Sequence, residues 1–140
     1  MVASRAARLV IRGHRAVYRL TRGRVGGRFG HLEQVLLTTT GRTTGAPRTT
    51  PLAVTIVGDR FVLVASDGGA DRDPGWYRNL VAHPDVVVQR GAVRHLMRAR
   101  TATGDERAEL WSAAVANNAG YAAYQTKTDR QIPVVVCEPR

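Results

Sequence analysis

From residue 35 onward the apolar positions fall into short, β-rich runs separated by turn residues. Val35–Thr40 is a β-branched stretch that ends at Gly41. Thr49–Val57 and Phe61–Ala65 flank Gly58-Asp59, a dipeptide suited to a tight hairpin turn. Asp85–Arg90 and Val93–Thr101 read as two further strands, and Pro133–Cys137 as a last apolar one. Three short helices interrupt this pattern. Pro74 opens the first through Trp76, Tyr77 and Leu80, with Asp71 and Asp73 near its positive end and His83-Pro84 closing it. Asp105, Glu106 and Glu109 open the second, which carries Leu110, Trp111, Ala114 and Val115, and the third holds Tyr121 and Tyr124. Strands outnumber helices and do not alternate strictly with them. The expected fold is therefore mainly β, an antiparallel barrel with short helices packed on it.

Before residue 30 the pattern is different. Arg5, Arg8, Arg12, Arg15, Arg19 and Arg22 are spaced alternately three and four apart, so at helical pitch they share one face. Ala6, Leu9, Val10, Val17 and Leu20 gather on the other side. Gly23 stops this helix, and Gly26, Gly27 and Gly30 form a flexible connection. Residues 1–30 thus read as a basic amphipathic helix with its connection, and residues 31–140 as the barrel domain.

Charge sharpens that division. The formal net charge is +10, and the arginines up to Arg28 all precede the first acid, Glu33, so this segment carries +8 and the rest only +2. Such an arm can lie on an anionic membrane surface through residues 5–22, or pack its apolar face on the barrel with the arginines solvated. Nucleic acid is disfavoured, because no aromatic platform or recognition motif accompanies the charge.

Composition adds bounds. A chain of 140 residues with 44% hydrophobic content suits one packed domain. No window approaches the roughly 18 uninterrupted apolar residues of a membrane span. Arg8, Arg12 and Arg15 interrupt any secretory signal, and the single Cys137 fits a reducing compartment, so a cytoplasmic setting is expected. His14, His31, His83 and His95 lack metal-ligand spacing, so no metal is expected, and no Gly-x-Ser-x-Gly elbow occurs.

Three segments could carry chemistry. Gly41-Arg42-Thr43-Thr44-Gly45-Ala46-Pro47-Arg48 offers turning backbone, two guanidinium forks and hydroxyls to an anion, or is an ordinary hairpin connection. Ala65-Ser66-Asp67-Gly68-Gly69-Ala70 lets a flat ligand approach the backbone, with Ser66 as a donor, or is a flexible loop. Tyr121 and Tyr124 share a helix face and supply stacking area with a phenol donor, or cover the barrel mouth.

In succession, Leu36-Leu37-Thr38-Thr39-Thr40-Gly41-Arg42-Thr43-Thr44-Gly45-Ala46-Pro47-Arg48, Ser66-Asp67-Gly68-Gly69-Ala70-Asp71, Pro74-Gly75-Trp76-Tyr77-Arg78-Asn79-Leu80 and His83-Pro84 resemble the deazaflavin-dependent nitroreductase family. The ending matches too, through Tyr121-Ala122-Ala123-Tyr124-Gln125, Thr128-Asp129-Arg130 and Ile132-Pro133-Val134-Val135-Val136-Cys137-Glu138-Pro139. The resemblance runs in register over residues 35–139. It implies a split β-barrel, similar to FMN-binding folds, that holds coenzyme F420, an 8-hydroxy-5-deazaflavin, with FMN less favoured. It also implies hydride transfer to a hydrophobic acceptor such as a quinone or nitro compound. In the family an N-terminal helical extension is linked to membrane association.

By position, the resemblance sets Arg42, Thr43, Thr44 and Arg48 against the phosphate and acidic tail, and Thr49, Thr50, Pro51, Leu52 and Ala53 along the ring's approach. Val64, Ala65, Ser66 and Asp67 would meet the deazaflavin, and Trp76, Tyr77, Arg78 and Asn79 would wall the pocket. Tyr121 falls on the family's functional tyrosine and Ser66 on its serine near the acceptor; Tyr121, Tyr124 and Asn118 would face the acceptor. Tyr121 is then expected to orient the acceptor and donate a proton, being protonated at neutral pH with an ordinary pKa of about 10. Thr43 and Asp67 stand where relatives carry lysine, which implies weaker cofactor affinity or a different tail path. Ala53 and Asn118 stand where nitro-reducing relatives carry tyrosines, which turns the expectation from bulky nitro compounds toward a quinone or another acceptor. The alternative is a non-catalytic deazaflavin or flavin carrier at the membrane surface.

Overall fold

The computed structural model describes residues 28–29 and 32–140. The expected amphipathic helix over residues 5–22 lies outside the described residues. Eight strands are present among those described: β1 (Arg28–Phe29), β2 (Leu32–Thr40), β3 (Pro47–Ala53), β4 (Thr55–Val57), β5 (Arg60–Val64), β6 (Asp85–Arg90), β7 (Val93–Thr101) and β8 (Val134–Pro139). Three α-helices accompany them: α1 (Gly75–Ala82), α2 (Gly104–Asn117) and α3 (Gly120–Gln125), with one 3-10 turn at Asp67–Gly69. Arg28–Phe29, expected inside the glycine-rich connection, instead pairs with Glu33 and Leu32 and adds backbone partners at the start of β2.

Every pairing is antiparallel, and the order runs β1-β2-β6-β7-β8-β5-β4, with β3 also on β2. The sequence reads Thr49–Val57 as one strand, but it is two. β3 lies on β2 and β4 lies on β5, and only Val54 separates them; its N–H bonds the Glu33 carbonyl at 3.0 Å. One bent segment therefore joins both ends of the sheet and closes the barrel.

Burial follows from what covers each wall. On β7 only alternate residues, such as Met97 and Ala99, are buried, while Arg94, Leu96, Arg98 and Arg100 face solvent. On β5 and β8 both faces are covered, so Phe61-Val62-Leu63-Val64 and Val134-Val135-Val136-Cys137 are apolar without alternation. Phe61, Leu63, Val135 and Cys137 fill the barrel with Val35, Leu37, Val86 and Val88. Val62, Val134 and Val136 pack outward on Ala102 and Leu110. A third cluster joins Val64 to Ala114, Tyr121 and Ile132, and this carries α3 onto the end of β5. No helix of the described residues is long and apolar enough to cross a membrane.

Candidate functional site

The bent segment, the loop after β5 and the short tyrosine helix meet at one end of the barrel. In the β2–β3 connection the Gly41 N–H bonds the Ala46 carbonyl and the Gly45 N–H bonds the Gly41 carbonyl, both at 2.8 Å. Gly45 sits at φ +71°, a left-handed turn position suited to glycine. The Thr44 hydroxyl accepts from the Ala46 N–H at 3.2 Å, so it serves the turn itself.

Arg42 is tied down from the helix side. Its backbone N–H and Nη1 both donate to Asn79 Oδ1, at 3.1 and 2.9 Å, and Nη1 also reaches the Gly75 carbonyl at 3.4 Å. Asn79 is buried and returns a bond from Nδ2 to the Thr39 hydroxyl at 3.2 Å. Its carboxamide brackets α1 to the β2–β3 turn.

The loop after β5 is held in an unusual shape. Asp67 has φ +44°, and Gly68 and Gly69 follow at +64° and +87°. A non-glycine residue in this region costs about 1 kcal/mol or more. The loop's own bonds are few: the Gly69 N–H donates to the Ser66 carbonyl at 2.9 Å, and the Ala70 N–H to the Asp67 carbonyl at 3.1 Å. Gly69 lies so close to α3 that an added Cβ would fall 2.6 Å from the Tyr124 carbonyl oxygen.

Just before α3, Asn118 Oδ1 accepts the Gly120 N–H at 3.0 Å and fixes the start of the helix. Tyr121 and Tyr124 meet edge-on with ring centroids 6.5 Å apart, and the ammonium of Lys127 lies 5.5 Å from the Tyr124 ring centroid. Burial holds the Tyr121 phenol above its ordinary pKa; the Asn118 side chain offsets part of this and Tyr124 adds to it. Tyr121 is thus a protonated donor through the neutral range.

Between these elements lies a cavity of about 380 Å³. Thr50, Pro51, Leu52 and Ala53 line one side, and Val64, Ser66, Asp67 and Trp76 another. Asn118, Tyr121 and Tyr124 close it. Gly68, within the glycine-bearing candidate segment, also lines it, and so do Gln34 and Pro74, which carry no site expectation from the sequence. A pattern of residue types does not reveal them, because their place depends on where neighbouring strands end.

Other expected residues lie elsewhere. Arg42, Thr43, Thr44 and Arg48 stand around the β2–β3 turn, not on the cavity wall. Thr49 shares a hydroxyl bond of 2.8 Å with Thr38. Ala65 is fully buried behind the loop. Trp76 and Tyr77 diverge, as successive helical residues must. The Tyr77 hydroxyl pairs with that of Thr101 at 2.8 Å and lines a separate hollow of about 510 Å³. Arg78 lines a third hollow with Arg72 and Arg130, and Asn79 bonds Arg42.

Comparison with known proteins gives this geometry a family. A family model described as F420H(2)-dependent quinone reductase matches residues 10–139. An F420H(2)-dependent quinone reductase of Mycobacterium tuberculosis (strain H37Rv) is 44% identical over 135 residues, which cover 94% of this chain and 91% of that protein. A solved F420-H2 dependent reductase, FDR-A, aligns with a TM-score of 0.70 at 43% identity, over 75% of this chain and 93% of its own. A protein from Listeria innocua described as a pyridoxamine 5′-phosphate oxidase is 11% identical, with a TM-score of 0.56 over 76% of this chain and 83% of that one. At that identity only the barrel is shared. The match over nearly the whole chain supports one assignment: this chain belongs to the F420H(2)-dependent quinone reductase family.

Proposed function

We propose that this protein passes hydride from reduced coenzyme F420 to a small hydrophobic acceptor of the quinone type. Family membership supports it, and so does the fit between the cavity and a flat, amphipathic ring. Leu52, Val64 and Trp76 offer apolar walls, while Thr50, Ser66 and Tyr121 offer hydroxyls. At Gly68 an added Cβ would meet no atom within 4 Å, so the wall stays open where a ring would lie against the backbone. Arg42, Thr43, Thr44 and Arg48, beside the β2–β3 turn, would receive a phosphate and acidic tail, with Arg42 pre-set by Asn79.

When bound in reduced form, coenzyme F420 supplies the hydride. The protein's own residues supply position and a proton. β3 and Trp76 hold the ring side of the cavity, while Asn118 and Tyr124 bound the acceptor side and exclude water. Tyr121, kept protonated by burial, holds its proton at the phenol oxygen for the acceptor, which gains one hydride and one proton in all. Ser66 orients ring or acceptor by hydrogen bonding.

The carrying observation is that Ser66, Trp76 and Tyr121, from three separate elements, share one cavity. Mixing purified protein with deazaflavin and, separately, with FMN should perturb the absorbance of the deazaflavin alone. Reduced deazaflavin should then be consumed when a soluble quinone is added. Tight uptake without quinone reduction would instead mark a carrier.

The arm extends the reading. Its basic, amphipathic pattern over residues 5–22 supports a peripheral seat on an anionic bilayer, where lipid-soluble acceptors dissolve. Deleting residues 1–28 should abolish sedimentation with anionic vesicles and leave reduction of a soluble quinone intact. Unchanged sedimentation would end the membrane proposal.

A further inference from the structure

Arg130, in the connection between α3 and β8, is only 14% exposed at its side chain and has no part in the chemistry above. A guanidinium withdrawn from water persists only where its donors are matched, and here they are. Nε donates to the Ala70 carbonyl at 2.7 Å, Nη2 to the Ser66 carbonyl at 2.9 Å, and Nη1 to the Ala65 carbonyl at 3.1 Å. Nη1 also meets Asp73 Oδ1 at 3.0 Å. One fork thus collects carbonyls from both ends of the loop whose middle holds three successive left-handed residues.

Each captured carbonyl fixes the amide on its far side, because a trans peptide points C=O and N–H in opposite directions. The Ala65 and Ser66 carbonyls turn to Arg130, so the Ser66 and Asp67 N–H groups turn away from it. Among the described residues no bond consumes either N–H, and both residues line the cavity. The clamp is tied in turn to the tyrosine helix. Gln125 Nε2 donates to the Arg130 carbonyl at 2.8 Å, and its Oε1 accepts the Ile132 N–H at 2.9 Å.

We propose that Arg130 is a positioning residue: by gathering the Ala65, Ser66 and Ala70 carbonyls, it holds the Ser66 and Asp67 amides toward the cavity, where they meet an electronegative edge of the carbonyl-bearing cofactor ring. This rests on the functional reading above. Lysine at this position keeps the charge but presents one nitrogen, which cannot span three carbonyls and a carboxylate.

The test compares Arg130→Lys with Leu110→Ala, a core truncation under α2. Thermal unfolding, amide hydrogen exchange of residues 66–70 without cofactor, and absorbance titration with oxidised coenzyme F420 are read for each. Arg130→Lys should accelerate exchange at residues 66–70 and weaken cofactor binding about tenfold, the loss of roughly one or two charge-assisted bonds. Leu110→Ala should lower the melting temperature and leave cofactor affinity within about twofold, since stability effects at separated sites are independent. Equal weakening in both variants, or unchanged exchange and affinity in Arg130→Lys, overturns the proposal. Should Arg130→Lys fail to fold, Gln125→Ala reports on the same clamp through a milder loss, about threefold in affinity; no change there overturns it as well. If the wild-type protein takes up no cofactor, the functional reading fails, while exchange at residues 66–70 still decides whether Arg130 holds the loop.

Discussion

Tyr121→Phe is expected to lower kcat by about 100-fold and to leave cofactor affinity within about twofold, since a positioned general acid contributes on this scale. The ring stays, so the packing on Val64, Ala114 and Ile132 is kept and only the hydroxyl is lost. Stopped-flow reduction of a soluble quinone, alongside a binding titration, separates the two quantities. The pH profile adds a second reading. The folded pKa lies above the ordinary value, so the donor and its share of stability are complete below about pH 10 and are lost as pH rises through the higher folded value. Wild type should therefore hold its rate through neutral pH and lose it only at the alkaline end, and the phenylalanine variant should lack that limb. Equal losses in kcat and in affinity would contradict the proton-donor role.

Gly69→Ala is expected to cost about 3 kcal/mol or more and to open the cavity. Two causes add. The backbone sits at φ +87°, where alanine is strained, and the new Cβ would fall 2.6 Å from the Tyr124 carbonyl oxygen and 3.0 Å from the Lys127 Cβ. The first obstacle is backbone and cannot rotate aside, so α3 must move off the loop. The melting temperature should fall by about 10 °C, and cofactor binding should weaken in the protein that remains folded. Gly68→Ala is the informative contrast. Its φ of +64° carries the same kind of strain, but its Cβ would meet nothing within 4 Å, so the cost should stay near 1 kcal/mol. Similar melting temperatures for the two variants would show that the contact with α3 contributes nothing.

The legible and illegible parts of this chain differ in range. Asp85–Arg90 and Val93–Thr101 are read from the sequence with the bounds they have in the fold, because Gly91 turns the chain and the pairing between them is local. The division of residues 49–57 at Val54 is not readable. The β-branched run continues through it, and what divides it is a change of partner: the Val54 N–H still bonds the Glu33 carbonyl on β2, and Thr55 then pairs with Val62 on β5. The glycines after β5 signal a loop, but its held shape depends on Arg130, some sixty residues further on. The site divides in the same way. Residue types and the family likeness gather Thr50–Ala53, Ser66, Trp76 and Tyr121 around a common ligand. They do not distinguish Trp76, which faces the cavity, from Tyr77, which bonds Thr101, because that choice depends on how α1 is rolled against the barrel. Asn79 likewise reads as a pocket residue, and in the fold its carboxamide bonds Arg42 and Thr39 across the β2–β3 turn.

The closing bend at Val54 has a bearing on engineering. Thr50 to Ala53 floor the cavity in the same stretch of chain that joins the two sheet edges, so changes of volume there strain the barrel seam itself. Asn118, in the connection that leads into α3, and Tyr124, on α3, border the same space as a lid that carries no sheet register. A library aimed at new electron acceptors is best concentrated on that lid, where side chains can be exchanged while the seam keeps its shape.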